Sequence, residues 1–213
     1  MNLLERRIKL ETARLYLCTG IRDGGADLER FLDAVLSNGV DIVQMREKNA
    51  DAEAQSVAAR VFRRLTDEHA ALFVMNDDPN LAASSDADGV HLGQEDMQPD
   101  KAREILGDEF LIGRSTHSPE ELARALDEPV DYLGVGPVNE TPTKPGREGV
   151  GLDYVSYAAK TSTKPFFVTG GMDPQTVRPV LEAGATRVVV VRALTEAKDP
   201  AAVAKALRAL LSQ

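Results

Sequence analysis

The residues of this chain able to do chemistry come in short polar runs, each placed directly after a stretch of apolar residues. The runs are Gln44-Met45-Arg46-Glu47-Lys48, Asn76-Asp77-Asp78, His91-Leu92-Gly93-Gln94-Glu95-Asp96 and Gly113-Arg114-Ser115-Thr116-His117, and then Thr169-Gly170-Gly171 and Val191-Arg192. Between the fourth and fifth lies a longer stretch, Asp131 to Gly151, which begins as a buried strand (Tyr132, Leu133, Val135) and ends in a polar turn with Thr141, Thr143, Lys144 and Arg147. Prolines 137, 142 and 145 restrict that turn; loops of this length after a core strand are functional or disordered. Its hydroxyls, cations and glycines suit a phosphate group.

Arg46, Lys48 and Lys144 suit a diphosphate or two phosphates, because guanidinium and ammonium groups give charge-assisted hydrogen bonds to phosphoryl oxygens. Asp77 and Asp96 add two carboxylates. Two carboxylates beside an anionic ligand are the usual way to hold Mg²⁺, which keeps waters and shares phosphate oxygens. Asp77 competes with Asp78 for the role of helix N-cap; Asp78 directly precedes Pro79, which favours it as the cap and leaves Asp77 for a metal. Gly170-Gly171 allows backbone N–H groups to approach an anion. The histidines say less: His69 reads as a surface residue at a helix end, His91 as a satisfied core residue in a strand, and His117 as a strand-end residue able to touch ligand. No cluster has zinc-ligand spacing and no nucleophile–base pairing stands out, so nothing points to covalent catalysis.

The elements that must position these runs alternate along the chain. Strand candidates begin near residues 14, 41, 71, 88, 110, 130, 165 and 187, each followed by helix-compatible sequence. Leu28, Phe31, Leu32, Val35 and Leu36 repeat at helical spacing. Asp78-Pro79, Asp173-Pro174 and Asp199-Pro200 read as helix caps, the second opening a helix that carries Val177, Val180 and Leu181. Ser118-Pro119-Glu120-Glu121 has capping-box spacing. Strict strand–helix alternation implies a parallel sheet, and eight units close a barrel. The expected fold is therefore α/β: a single (β/α)8 TIM barrel over residues 1–213, with residues 1–13 as a lead-in segment. A doubly wound open sheet is the competitor. In such a barrel the active site lies at the C-terminal strand ends, where every polar run falls, and the loops after strands seven and eight are the usual phosphate site.

Composition fits this reading. The chain is 43% hydrophobic, with few aromatics and no tryptophan, so its core must be built from Val, Leu, Ile and Ala, as parallel sheets usually are. A net charge of −9 argues against binding to nucleic acid or to anionic membranes. The single cysteine, Cys18, excludes an intrachain disulfide and reads as a buried structural thiol. With no signal-like segment and no 18-residue apolar run, a cytoplasmic protein is expected. A homodimer is allowed by the sequence but not indicated by it.

The motifs Gln44-x-Arg46-x-Lys48, Asn76-Asp77, Ala87 to Asp96, Ser115-Thr116-His117, Gly134-x-Gly136-Pro137, Thr141-x-Thr143-Lys144, Gly170-Gly171 and Val191 closely resemble the thiamine-phosphate synthase family, in order and over nearly the whole chain. The resemblance implies a TIM barrel that couples a hydroxymethylpyrimidine diphosphate to a thiazole phosphate, with release of pyrophosphate. It implies that Gln44, Arg46, Lys48, Asn76, Ser115 and Lys144 hold the pyrimidine diphosphate, with Arg46, Lys48, Lys144 and Ser115 assisting its departure. It implies Mg²⁺ on Asp77 and Asp96, the thiazole phosphate on Thr141, Thr143, Gly171, Val191 and Arg192, and a dissociative path. Arg147 carries no assignment. Arg192 stands where the family often has serine, and Thr169 and Met172 replace the more usual isoleucines. Two rivals stand beside this reading: a thiazole tautomerase-like relative that shares the barrel but does not couple the two halves, and a non-catalytic barrel that binds a phosphorylated compound.

Overall fold

A computed structural model of the chain describes residues 1–140 and 148–212. It shows a closed barrel of eight parallel strands in sequence order. The first half of the chain runs α1 (Leu3–Thr12), β1 (Leu15–Thr19), α2 (Gly25–Leu36), β2 (Ile42–Met45), α3 (Ala52–Glu68), β3 (Leu72–Asn76), α4 (Pro79–Ser84), β4 (Gly89–Leu92) and α5 (Pro99–Leu106). The second half runs β5 (Leu111–Thr116), α6 (Pro119–Asp127), β6 (Tyr132–Val135), α7 (Gly151–Thr161), β7 (Phe166–Val168), α8 (Val177–Glu182), β8 (Val188–Val190), α9 (Arg192–Thr195) and α10 (Pro200–Leu210). β1 pairs with both β2 and β8, which closes the ring. Among the described residues no helix is long and apolar enough to cross a membrane.

Side-chain alternation divides the strands between two cores. Leu15, Leu17, Val43, Phe73 and Val90 face the helices, while Tyr16, Ile42, Leu72, Val74, Leu111, Tyr132 and Phe167 fill the barrel. The lead-in segment is α1, capped by Asn2 and Glu5 in a reciprocal capping box. It covers the N-terminal end of the barrel, where Leu10 and Ala13 join the inner cluster.

That end is tied by three carboxylates, each directly preceding an even-numbered strand. Asp41 accepts the backbone N–H groups of Arg14 (2.7 Å) and Leu15 (3.0 Å), Asp88 that of Phe73 (2.8 Å), and Asp131 that of Ile112 (2.9 Å). Arginines from α1 and the outer helices complete each one: Arg208 on Asp41, Arg6 and Arg63 on Asp88, and Arg7 and Arg103 on Asp131. Asp88 is fully buried and holds both of its arginines at 3.0 Å. The last pair of strands has no such carboxylate; Arg187 occupies the corresponding position before β8, and β7 meets β8 at the single registered pair Val168–Val188.

Three local expectations change. Asp173 does not cap α8: its carboxylate accepts the N–H groups of Gln175 (2.7 Å) and Thr176 (2.8 Å), closing a tight turn that delays the helix to Val177. The capping box at Ser118 is half made. Ser118 accepts from the Glu121 N–H, but the Glu121 carboxylate turns instead to the His117 backbone N–H and ring, both at 2.8 Å. β5 also runs on to Thr116, because the polar side chains beyond Gly113 stay within the ladder to β6.

Candidate active site

The C-terminal ends of the strands surround a cavity of about 380 Å³, within the usual range for small-molecule sites. Its floor is aromatic. The Tyr16 hydroxyl lies 3.0 Å from that of Tyr132, and Phe167 makes T-shaped contacts with both rings. Burial pushes both phenols well above their ordinary range, so they stay protonated. Gly113 makes room for this floor: a Cβ there would come within 2.2 Å of the Tyr132 ring and 2.6 Å of His91 Nδ1. His91 is satisfied, as expected of a core histidine, yet it also lines the cavity, with Nε2 2.9 Å from Ser115 Oγ and Nδ1 3.2 Å from the Tyr132 hydroxyl. Cys18 is buried and lines the floor as well. His117 reaches the cavity wall; His69 is not on this side but bridges α3 to Asp33 of α2 at 2.8 Å.

One wall carries Gln44, Arg46, Asn76 and Ser115 from the ends of β2, β3 and β5. The Gln44 amide donates to Asn76 Oδ1 at 3.3 Å, which fixes both amides across neighbouring strands. Lys48 sits at the rim, with Nζ 3.7 Å from Asp77. The loop bearing it is held by Glu47, whose carboxylate accepts the N–H groups of Asn49 (2.9 Å) and Ile21 (3.4 Å). Those backbone donors, led by Asn49, hold Glu47 below its usual pKa.

Asp77 adopts the left-handed conformation (φ 63°), with its N–H bonded to the His91 carbonyl at 2.9 Å. This leaves capping of α4 to Asp78, which accepts from Asn80 and Leu81. The Asp77 carboxyl lies within hydrogen-bonding reach of Asp96. Burial first, and then the Asp96 carboxyl, raise its pKa, against the opposing pull of Lys48 and Asn76. Two carboxyls that repel one another beside Lys48 fit a divalent cation; neither they nor Lys48 is among the residues that line the cavity itself. Among the described residues no group of three or more His, Cys, Asp or Glu side chains could hold a metal by itself. The pair would need ligand oxygens and waters to complete a shell, which is the habit of Mg²⁺ rather than of zinc.

The opposite wall is formed by Thr169, Gly170, Gly171, Met172, Val191 and Arg192. Gly170 and Gly171 both have positive φ (112° and 74°), and a Cβ on Gly170 would strike the Val138 nitrogen at 2.3 Å. Asn139 donates to the Gly170 carbonyl at 3.2 Å. Val191 precedes the four-residue α9, with Arg192 exposed at its first position. A short extra helix after the last strand is a recurrent part of phosphate sites in this fold. The sequence reading missed it, and the only available signal was the polar Arg192 after an apolar strand. Thr141, Thr143, Lys144 and Arg147 lie outside the described residues. Tyr16, Tyr132 and Phe167 lie in runs that the sequence shows only as strands, and Glu47 carries no role there, because nothing in one strand shows that alternate residues of several strands meet.

A profile of the family described as "Thiamine monophosphate synthase" matches residues 15–194. The chain is 50% identical over 204 residues to a thiamine-phosphate synthase of Thermobifida fusca, covering 95% of this chain and 94% of the relative. It is 47% identical to one of Acidothermus cellulolyticus, covering 97% and 98%. Among solved structures, a thiamine phosphate pyrophosphorylase from Pyrococcus furiosus superposes with a TM-score of 0.86 at 32% identity over 97% of both chains.

Proposed function

The chain belongs to the thiamine-phosphate synthase family, and from that premise we propose that it joins 4-amino-2-methyl-5-(diphosphooxymethyl)pyrimidine to thiazole phosphate, giving thiamine phosphate and pyrophosphate. The observation that carries the reading is the meeting of two anion-compatible walls in one cavity: Gln44, Arg46, Asn76 and Ser115 on one side, Gly170, Gly171, Val191 and Arg192 on the other.

In the proposed reaction the C–O bond between the pyrimidine methylene and the diphosphate breaks, and the electron pair leaves with pyrophosphate. Arg46, Lys48 and Lys144 neutralise the charge that grows on the leaving oxygen, which lowers the barrier without any proton transfer. Ser115 donates a hydrogen bond to the same group. Asp77 and Asp96 would hold Mg²⁺, which when bound supplies charge neutralisation at the diphosphate. The pyrimidine amino group stabilises the cation left behind, and the thiazole nitrogen then donates its lone pair to the methylene carbon. No protein nucleophile is needed, and the Tyr16 and Tyr132 phenols at the cavity floor stay protonated. The aromatic floor of Tyr16, Tyr132 and Phe167, whose two tyrosine hydroxyls are already hydrogen-bonded to one another, limits the water that would otherwise capture the cation. Thr141 and Thr143, with Gly171, Val191 and Arg192, receive the thiazole phosphate, and Arg192 offers a fork of donors where a serine would offer one.

The decisive assay mixes pure protein with both substrates and Mg²⁺ and follows pyrophosphate. Release that needs both partners is expected. Isomerisation of the thiazole without pyrophosphate would identify a tautomerase, and binding without turnover a ligand-binding barrel.

A further inference from the structure

Arg114 is the bulkiest of the fully buried side chains, with 1% of its surface exposed. Gly113 and Ser115 face the barrel interior, so Arg114 points outward into the layer between strands and helices, where its register partners are Leu92 and Leu133. Leucines flank the position, yet a guanidinium fills it, and burying that charge is unfavourable unless its contacts repay the lost hydration. Its partners are few. Nη1 donates to the Gly93 carbonyl at 2.7 Å, Nη2 reaches Gln98 Oε1 at 3.4 Å, and Nε stands 3.5 Å from Glu128 Oε2 without a hydrogen bond.

The short contact falls on the turn that carries Asp96. The Gly93 carbonyl also accepts the Asp96 N–H at 3.3 Å, and the Gly93 N–H donates back to Asp96 Oδ2 at 2.6 Å. Any side chain at residue 93 would press on that carboxylate, since a Cβ would sit 2.8 Å from Oδ2. Arg114 therefore grips the carbonyl that also receives the Asp96 N–H, on the residue whose own N–H holds the Asp96 carboxylate. A second tie lies alongside: Gln94 donates to the Ser115 carbonyl at 2.6 Å and accepts from Arg124 at 2.7 Å.

We propose that Arg114 is a positioning residue for the acidic pair, holding the Gly93–Asp96 turn so that Asp96 meets Asp77 in the geometry a divalent cation needs. The inference rests on the reading that Asp77 and Asp96 form the metal site. Arg114 touches neither substrate nor metal and acts only through the Gly93 peptide.

The test titrates Mn²⁺ into pure protein saturated with inorganic pyrophosphate and reads free Mn²⁺ by electron paramagnetic resonance. R114M/E128Q removes both buried charges together, so neither is left alone. Its Mn²⁺ affinity falls ten- to a hundredfold, the usual loss for an outer-shell partner of a metal ligand. R114K, which keeps one donor for the Gly93 carbonyl, loses less, and the KM for thiazole phosphate stays at the wild-type value in both. Unchanged Mn²⁺ affinity in the folded double variant overturns the proposal, as does an equal rise in the thiazole phosphate KM. If the double variant does not fold, R114K decides by the same two readings. If the wild-type protein takes up no Mn²⁺, the metal reading itself falls and the role of Arg114 falls with it.

Discussion

His91 Nε2 stands 2.9 Å from Ser115 Oγ while its other ring nitrogen stands 3.2 Å from the Tyr132 hydroxyl, which in turn meets Tyr16 at 3.0 Å. Four polar groups on four strands thus form one file from the cavity wall to the barrel centre. For the Ser115 hydroxyl to donate towards a ligand, its oxygen must accept the His91 Nε2–H, which leaves Nδ1 to accept from Tyr132. H91A then costs about ten- to a hundredfold in kcat/KM. Since His91 acts through Ser115, the pair S115A/H91A loses little more than S115A alone. Steady-state kinetics on the three variants check this, and losses that multiply would show that the two residues act separately.

The acidic pair separates activity from stability. D77N removes a repelling charge and places at φ 63° a residue that tolerates the left-handed region. Turnover falls by at least about a hundredfold, on the scale of damage to metal sites, while the melting temperature of the metal-free protein holds or rises. D96N behaves alike in turnover. Calorimetry beside a pyrophosphate assay reads both effects; a clear drop in melting temperature for D77N would mean that the pair is structural.

Three buried phenols set the alkaline limit. Tyr16 and Tyr132 are raised by burial, and Tyr154, bonded to Thr116 at 2.8 Å, is pushed up to about 12 by burial against that bond. A phenol harder to ionise in the folded chain than in the unfolded one contributes stability that is complete below its ordinary value of about 10. That contribution drains away as pH climbs from there through the folded value. Denaturant midpoints measured from about pH 9 to about pH 12 therefore fall, with each phenol adding up to about 1.4 kcal/mol per pH unit. Y154F flattens the curve; a wild-type curve level through this window contradicts the assignment.

At the opposite end of the barrel, Asp88→Ala strips the carboxylate from Arg6, leaves Arg63 with the Asp67 carboxylate alone and orphans the Phe73 N–H. Removing one side of a buried ion pair costs about 3–5 kcal/mol, read as a shift of the urea midpoint. Catalytic constants at a temperature where the variant is folded stay at wild-type values, because no contact of Asp88 reaches the cavity.

Much of this was legible in the chain because a parallel barrel brings all C-terminal strand ends to one rim: once eight strands are found, Gln44, Asn76, Ser115 and Gly171 must converge. Strands such as Gly89–Leu92 and helices such as Pro99–Leu106 fall where the apolar runs and prolines place them. What stayed hidden depends on partners distant in sequence. Arg114 reads as a strand-end cation, and only the packed turn at Gly93 reveals it as buried. Glu121 has the spacing to close a capping box, and only the nearness of His117 diverts it. Asp173 looked like a cap because Asp-Pro usually is one, yet two successive N–H groups within its own turn claim the carboxylate first.

The junction of β7 with β8 is the thin seam of the ring. It has one registered pair and no carboxylate staple, whereas β2 meets β3 over four pairs. Thermal opening concentrates where backbone cross-links are fewest, so the amides of Val168 and Val188 exchange with solvent sooner than those at the centre of β3. The seam runs up to Gly170, Gly171 and Val191. A phosphate lodged there would act as a rivet across the weakest joint, so that filling the site also finishes the barrel.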